Sequence, residues 1–264
     1  MFVDSHCHIN VPELAIRLPE ILATMVQNQV THTLCVCCDL LDVPEILAMA
    51  ESHPNIYASV GVHPDSENAT EPSVAELVRL AQHQKVVAIG ETGLDYSRLT
   101  GDLEWQRERF RNHIRASRLS GKPLIIHTRD AAKDTIRIMQ EEGAGTEVGG
   151  AGGVMHCFTE SQGIADAAMA MGFYISFSGI VTFKNARDLQ AVARTVPLQR
   201  MLIETDSPYL APVPKRGKVN EPGFVKYVAE FLAQLTGTPV EQIAKATTDN
   251  FFNLFKIVRP IINE

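Results

Sequence analysis

Eight short, β-branched apolar runs recur along this chain, starting near Phe2, Val30, Ile56, Val86, Pro123, Gly153, Phe173 and Met201, and longer segments with helical spacing of their apolar residues lie between them. The helix-like segments are 19–27, 43–52, 73–83, 103–120, 130–141, 162–171 and 185–194, with 222–236 and 240–255 beyond the last run. Strand-then-helix alternation predicts a parallel sheet covered by helices. At 264 residues the chain is close to the roughly 250 of a (β/α)8 barrel. The expectation is therefore one α/β domain over 1–264, a single (β/α)8 TIM barrel whose extra C-terminal helices pack on it or cap it. A doubly wound open sheet shares the same alternation, so the period alone does not decide closure.

The residues that end the runs bear on both closure and chemistry. His6 and His8 end the first run, His63 follows the third, Glu91 the fourth, His127 the fifth, His156 the sixth, and Glu204 and Asp206 the eighth. Ligands bind at the carboxyl ends of strands in both architectures, and groups from so many strands converge most easily in a closed barrel. His6 and His8 lie two apart on an extended segment, so their side chains share a face and can share one ion. Closure sets strand eight beside strand one and brings Asp206 next to them; Glu204, two residues earlier, is expected on the same face as Asp206. Glu91 follows a buried apolar run, where an unpaired carboxylate is costly and a bridging metal position removes the cost. His127 and His156 add nitrogen donors enough for a second ion. Any one of these histidines is more often a hydrogen-bonded core residue than a ligand; their recurrence at strand ends favours metal.

Lysine and arginine total 24 against 31 aspartate and glutamate, a formal charge of −7. Such a chain has no general attraction for nucleic acid, so a phosphate-bearing partner must be held by a local cation. The five cysteines, Cys7, Cys35, Cys37, Cys38 and Cys157, are odd in number and lack paired spacing. They are expected to be packed thiols rather than a disulfide framework. No leader-like N-terminal segment and no apolar run near the ~18 residues of a membrane span is present, which predicts a cytoplasmic protein with no membrane partner. Nothing in the pattern calls for an obligate protein partner.

Six segments, taken in order, carry a specific resemblance: Asp4-Ser5-His6-Cys7-His8, Gly61-Val62-His63-Pro64, Gly90-Glu91-Thr92-Gly93-Leu94-Asp95, His127-Thr128-Arg129-Asp130, His156-Cys157-Phe158 and Glu204-Thr205-Asp206-Ser207-Pro208-Tyr209. Over essentially its whole length the chain resembles the TatD-type deoxyribonucleases of the amidohydrolase superfamily. The resemblance implies metal ligation by His6, His8, Glu91, His127, His156 and Asp206, with Glu91 shared between two divalent ions. It implies hydrolysis of DNA phosphodiester bonds, from 3′ ends or at abasic sites, with Mg²⁺ or Mn²⁺ as working metals; histidine-rich ligation also accepts Zn²⁺.

In that chemistry a divalent pair activates water and neutralises charge on the leaving oxygen. Glu91 and Asp206 serve as ligands, and His63 is placed to donate a hydrogen bond or proton to phosphate, or only to order the loop before Pro64. Glu204 can orient Asp206, accept a proton or hold a further ion. Arg129, Lys184, Lys215, Arg216 and Lys218 follow the right strands for a compact phosphate clamp, of which Arg129, Lys215 and Arg216 are the leading members. Tyr96, Phe158, Phe183 and Tyr209 are candidates to stack on bases, although core packing suits most of them. Two other classes remain open. An amidohydrolase or deaminase attacking a carbon centre also begins with HxH, although binuclear amidases often bridge their ions with a carboxylated lysine and this chain has Glu91. A non-catalytic metal-binding protein would need a broken ligand set.

Overall fold

In the computed structural model, which describes residues 1–257, the runs and helices alternate as the pattern predicts. The elements are β1 (Phe2–Cys7), α1 (Pro12–Ala15), α2 (Leu18–Gln27), β2 (Val30–Cys35), α3 (Val43–Ser52), β3 (Ile56–Val60), α4 (Val74–Leu80), β4 (Val86–Asp95), α5 (Glu104–Ser120), β5 (Leu124–Arg129), α6 (Ala132–Glu141), β6 (Gly153–Met155), α7 (Gln162–Ala170), β7 (Tyr174–Phe177), α8 (Arg187–Thr195), β8 (Met201–Ile203), α9 (Val225–Thr236) and α10 (Val240–Phe255). The final residues of the 1–264 domain, 258–264, lie outside the described residues. Local chemistry sets the helix ends. Ser73 opens α4 with its side chain accepting from the Glu76 N–H, half of a Ser-x-x-Glu capping box. α5 stops at Gly121, whose φ of 68° is left-handed.

The eight strands pair in parallel in sequence order, β1 through β8, and closure comes from the β8–β1 seam. There the backbone bonds are His8 N–H to Ser207 O at 2.8 Å and Asp206 N–H to His6 O at 2.9 Å. A buried carboxylate completes the seam: Asp4 accepts from the Thr205 N–H at 2.8 Å and its hydroxyl at 2.7 Å. Burial pushes the Asp4 carboxyl up, and the Thr205 donors oppose that shift. The barrel is thus nearly closed, and the open-sheet alternative is excluded.

The surplus C-terminal helix caps the barrel at the end opposite the site. Asn250 on α10 donates to Leu198 O and Met201 O at the start of β8, and Thr248 donates to Met1 O. Phe251, Phe252 and Phe255 join Val3, Leu34, Val87, Ile125, Val154 and Leu202 in one apolar cluster. Phe251 is wholly buried, so Phe251→Ala is expected to lower the unfolding free energy by about 3–5 kcal/mol. Denaturant unfolding followed by far-UV circular dichroism measures this; a loss below about 1 kcal/mol would show that α10 does not plug the barrel. Among the described residues no helix is long and apolar enough to cross a membrane.

Candidate metal centre

The strand ends at the carboxyl face converge on Glu91, which is 2 % exposed. Its two oxygens divide the donors. On the Oε2 side, His6 Nε2 and His8 Nε2 lie 3.2 Å apart and 3.3 and 3.9 Å from the carboxylate, while Asp206 Oδ1 stands 3.6 Å from His6 Nε2 and 3.3 Å from His8 Nε2. On the Oε1 side, His156 Nε2 approaches to 2.7 Å, His127 Nδ1 to 3.1 Å and His63 Nε2 to 3.4 Å. Donors bound at about 2.0–2.2 Å to one cation sit roughly 3–3.6 Å from each other, and six of these eight separations fall in that range, with His8 to Glu91 longer and His156 to Glu91 shorter.

The outward hydrogen bonds of the histidines show which nitrogen each ring offers to the site. His8 Nδ1 lies 3.1 Å from the Val36 carbonyl, which only accepts, so this nitrogen carries the proton. His127 Nε2 likewise donates to Asp95 Oδ2 at 3.1 Å, and His156 Nδ1 to Glu204 Oε1 at 3.2 Å. In the neutral rings the remaining nitrogens, His8 Nε2, His127 Nδ1 and His156 Nε2, then turn lone pairs toward Glu91 and Asp206. Although His156 Nε2 is 2.7 Å from Glu91 Oε1, it is buried without an aligned hydrogen bond. Nitrogens turned toward carboxylates in a buried site call for a positive charge between them, a proton on the ring or a bound cation, and outward N–H bonds to acceptors are how metal-binding histidines are oriented. The donor set fits a divalent metal, in the groups His6–His8–Glu91, His6–His156–Asp206 and His63–Glu91–His127. Burial pushes the Glu91 carboxyl up, but His156, His63 and His127 outweigh it and hold the group well below the usual carboxylate range.

Comparison with known proteins agrees over the whole chain. The family described as TatD related DNase matches residues 3–256. The metal-dependent hydrolase YcfH of Escherichia coli K12 is 47% identical over 259 residues, spanning 97% of this chain and 96% of that one.

The chain belongs to the TatD family.

It is a metal-dependent hydrolase by that membership. The crystal structure of YjjV, a TatD homologue from Escherichia coli K12, superposes with a TM-score of 0.88 at 26% identity, covering 97% of this chain and 98% of that one. The 3′-5′ ssDNA/RNA exonuclease TatD of Edwardsiella piscicida is 30% identical over 247 residues, covering 91% of this chain and 94% of that one.

Around the TatD donor set lies a cavity of about 800 Å³, lined among others by His8, Cys38, His63, Asp65, Glu91, Arg98, Arg129, Asp206 and Tyr209. All six expected ligands converge on it or beneath it, and His63 joins them. Glu204 departs from the expected face. β8 ends at Ile203 and Asp206 takes a left-handed φ of 54°, so strand alternation fails and the two carboxylates diverge. Glu204 Oε1 holds His156 Nδ1 and the Cys157 N–H instead of orienting Asp206.

The expected phosphate clamp also splits. Exposed Arg129 lines the cavity and forms no ion pair among the described residues, whereas Lys215 and Arg216 do not line it. Arg216 lies 4.1 Å from the Phe183 ring centroid, and Lys215 turns to the rings of Phe224 and Tyr227. Lys184 and Lys218 are exposed outside the cavity lining. Of the four aromatic candidates only Tyr209, 61% exposed, stands at the cavity; Phe158 is core, and the Tyr96 hydroxyl donates to Asp134. Cys35 and Cys37 are buried thiols pushed up to about 12 by burial, while Cys38 lines the cavity.

The supporting groups lie beyond what the sequence alone shows. Asp65 accepts from His63 Nδ1 and from Arg98. Burial, which lowers the His63 imidazole, is outweighed by Glu91 and Asp65, and the group is pushed up to about 9. The inner face of α5 fixes the same loop: Arg109 donates to His63 O at 2.9 Å and Ser66 O at 3.0 Å, and Gln106 joins Pro64 O to the Asp95 N–H. Gly93 lets β4 reach β5, since a Cβ there would stand 1.9 Å from His127 O at a φ of 139°. The sequence signal for them is proximity: Asp65 follows His63 by two residues and Asp95 follows Glu91 by four.

Asp95 offers a direct test. Burial raises its carboxyl, but the His127 hydrogen bond and the Ser97 and Arg98 N–H groups bring it down to about 2. Both oxygens accept, so Asp95→Asn must set an amide N–H₂ against a donor. Divalent metal affinity is expected to fall about 10- to 100-fold, read by competition with a chromophoric chelator. Unchanged affinity would mean that His127 needs no such orientation.

Proposed function

We propose that this TatD protein hydrolyses DNA phosphodiester bonds, from 3′ ends and by incision at abasic sites, with two divalent cations that share Glu91. The observation that carries the reading is the division of the donors: His6, His8 and Asp206 beside Oε2, and His127 and His156, with His63, beside Oε1. Mg²⁺ or Mn²⁺ suits the phosphoryl chemistry, and the nitrogen-rich set also accepts Zn²⁺. A bound pair supplies Lewis acidity that makes water nucleophilic near neutral pH and offsets negative charge on the phosphoryl oxygens. The nucleic acid class is supported by the Edwardsiella relative, named as an exonuclease on single-stranded DNA and RNA.

The chain's own residues do the rest. His63, its ring held by Asp65, directs Nε2 into the cavity and donates to a phosphoryl or leaving oxygen. Arg129 and Arg98 supply cationic donors on the cavity wall, and exposed Tyr209 offers a face for a terminal base. Glu204 keeps the His156 ring in place.

The test is a 3′-end digestion ladder, nicking of plasmid and of an abasic duplex, and an ester and amide panel, all run on one metal-loaded preparation. DNA cleavage with negligible ester or amide turnover is expected, and the reverse pattern overturns the reading. Few cations stand near the site, so binding is expected to release fewer than about six counterions, a log-log salt slope shallower than roughly −4 for single strands. A steeper slope would reveal an extended basic surface that this acidic chain lacks.

A further inference from the structure

A second recess, of about 450 Å³, lies between α2 and the connection from β8 to α9. Arg17, Lys215, Lys218, Glu221, Phe224 and Tyr227 line it. Its one lining carboxylate is already matched: buried Glu221 accepts from Arg17 Nη2 at 3.4 Å. Lys215 and Lys218 form no ion pair and no side-chain hydrogen bond among the described residues, in a chain where acidic residues exceed basic ones by 31 to 24. The Lys215 ammonium stands 5.0 and 5.2 Å from the ring centroids of Phe224 and Tyr227. Those rings hold it by cation–π attraction and leave its N–H groups free for an acceptor. A backbone bond from the Lys218 N–H to Lys215 O, 3.1 Å, ties the two lysines into one turn.

The same two connections contribute residues to the recess and to the metal cavity. On the connection after β1, Val11 lines the cavity and Arg17 the recess; on the connection after β8, Tyr209 and Leu210 line the cavity and Lys215 and Lys218 the recess. A strand whose end occupies the cavity and that runs outward along these two connections would reach Lys215 and Lys218, which have no ion-pair partner among the described residues. We propose that this recess binds backbone phosphates of the nucleic acid strand, several nucleotides away from the bond being cut. The proposal rests on the nucleic acid reading above, and it gives Lys215 a role away from the scissile phosphate.

The experiment uses the full chain loaded with Mn²⁺ and 5′-fluorescein oligothymidylates of two and twelve nucleotides with phosphorothioate linkages. Fluorescence anisotropy gives Kd across 50–200 mM salt, and hydrolysis of an unmodified dinucleotide is followed in parallel. Two lost phosphate contacts at roughly 0.7 each predict that Lys215→Gln/Lys218→Gln lowers the twelve-mer log-log slope by about 1.4, or about 7-fold in Kd over that salt range. Lys218→Gln alone, at an exposed position, is expected to lower it by about 0.7. Dinucleotide binding and hydrolysis are expected to match wild type in both variants. An unchanged twelve-mer slope in both variants overturns the proposal, as does a recess that inorganic phosphate occupies while twelve-mer binding ignores the lysines. If the dinucleotide is not hydrolysed but the slope shifts, hydrolysis falls and the recess stands; if the dinucleotide is cleaved and the slope is unchanged, the recess falls and hydrolysis stands.

Discussion

Glu91→Gln is expected to lose turnover by at least about 100-fold, above the 10- to 100-fold typical of residues that only orient ligands, while leaving the fold intact. The amide keeps the shape of the side chain but offers a single oxygen. Whichever way it turns, an N–H₂ group faces one of the two donor groups that now flank Oε1 and Oε2. A cation on that side loses an anionic ligand and meets a positive dipole. The metal content of the purified variant, read by plasma mass spectrometry, is expected to fall by one ion per chain or more. Its circular dichroism should match wild type, because the amide fills the same volume among the five histidines around Glu91 and removes a buried charge. DNA cleavage within a factor of about two of wild type, at equal protein and metal, would falsify the shared-ligand reading.

Stripping the metal is expected to abolish DNA cleavage and to lower thermal stability together, with Mn²⁺ or Mg²⁺ restoring both. The coupling follows from the donor geometry. His8, His127 and His156 have their N–H groups committed to Val36 O, Asp95 and Glu204, so each turns its other nitrogen toward the same carboxylates, an arrangement of donors that only the folded chain offers to a cation. A ligand that binds only the folded state at about 1,000 times its Kd contributes about 4 kcal/mol. For a chain of this size that is a fall in Tm of roughly 8–16 °C. Calorimetry on chelator-dialysed and reloaded protein measures it. Full activity in a preparation verified as metal-free would remove the metal from the mechanism.

The barrel and the convergence of its candidate metal donors were legible in the amino-acid order because both depend on short-range rules. Alternating β-branched runs and helical spacing specify strand and helix locally, and a residue at a strand's carboxyl end faces the ligand side wherever the strand sits. His6 and His8 could be paired from their spacing alone, since strand alternation holds through that segment. The same rule failed at Glu204 and Asp206, because β8 stops at Ile203 and the chain turns left-handed at Asp206.

What only the tertiary structure decided is which groups stand behind the ligands and which cations reach the cavity. Asp65, Asp95, Arg98 and the buried face of α5 act through contacts between elements. Arg109 is 46 residues from His63 in sequence and bonded to it in space. Lys215 and Arg216 follow the last strand, as a phosphate clamp should, yet their side chains turn to Tyr227 on α9 and to Phe183 on the connection after β7. A strand end points the same way in every barrel, so sequence determined which candidate donors meet at one face; a loop's side chains go where neighbouring surfaces hold them, and those surfaces exist only once the chain has folded.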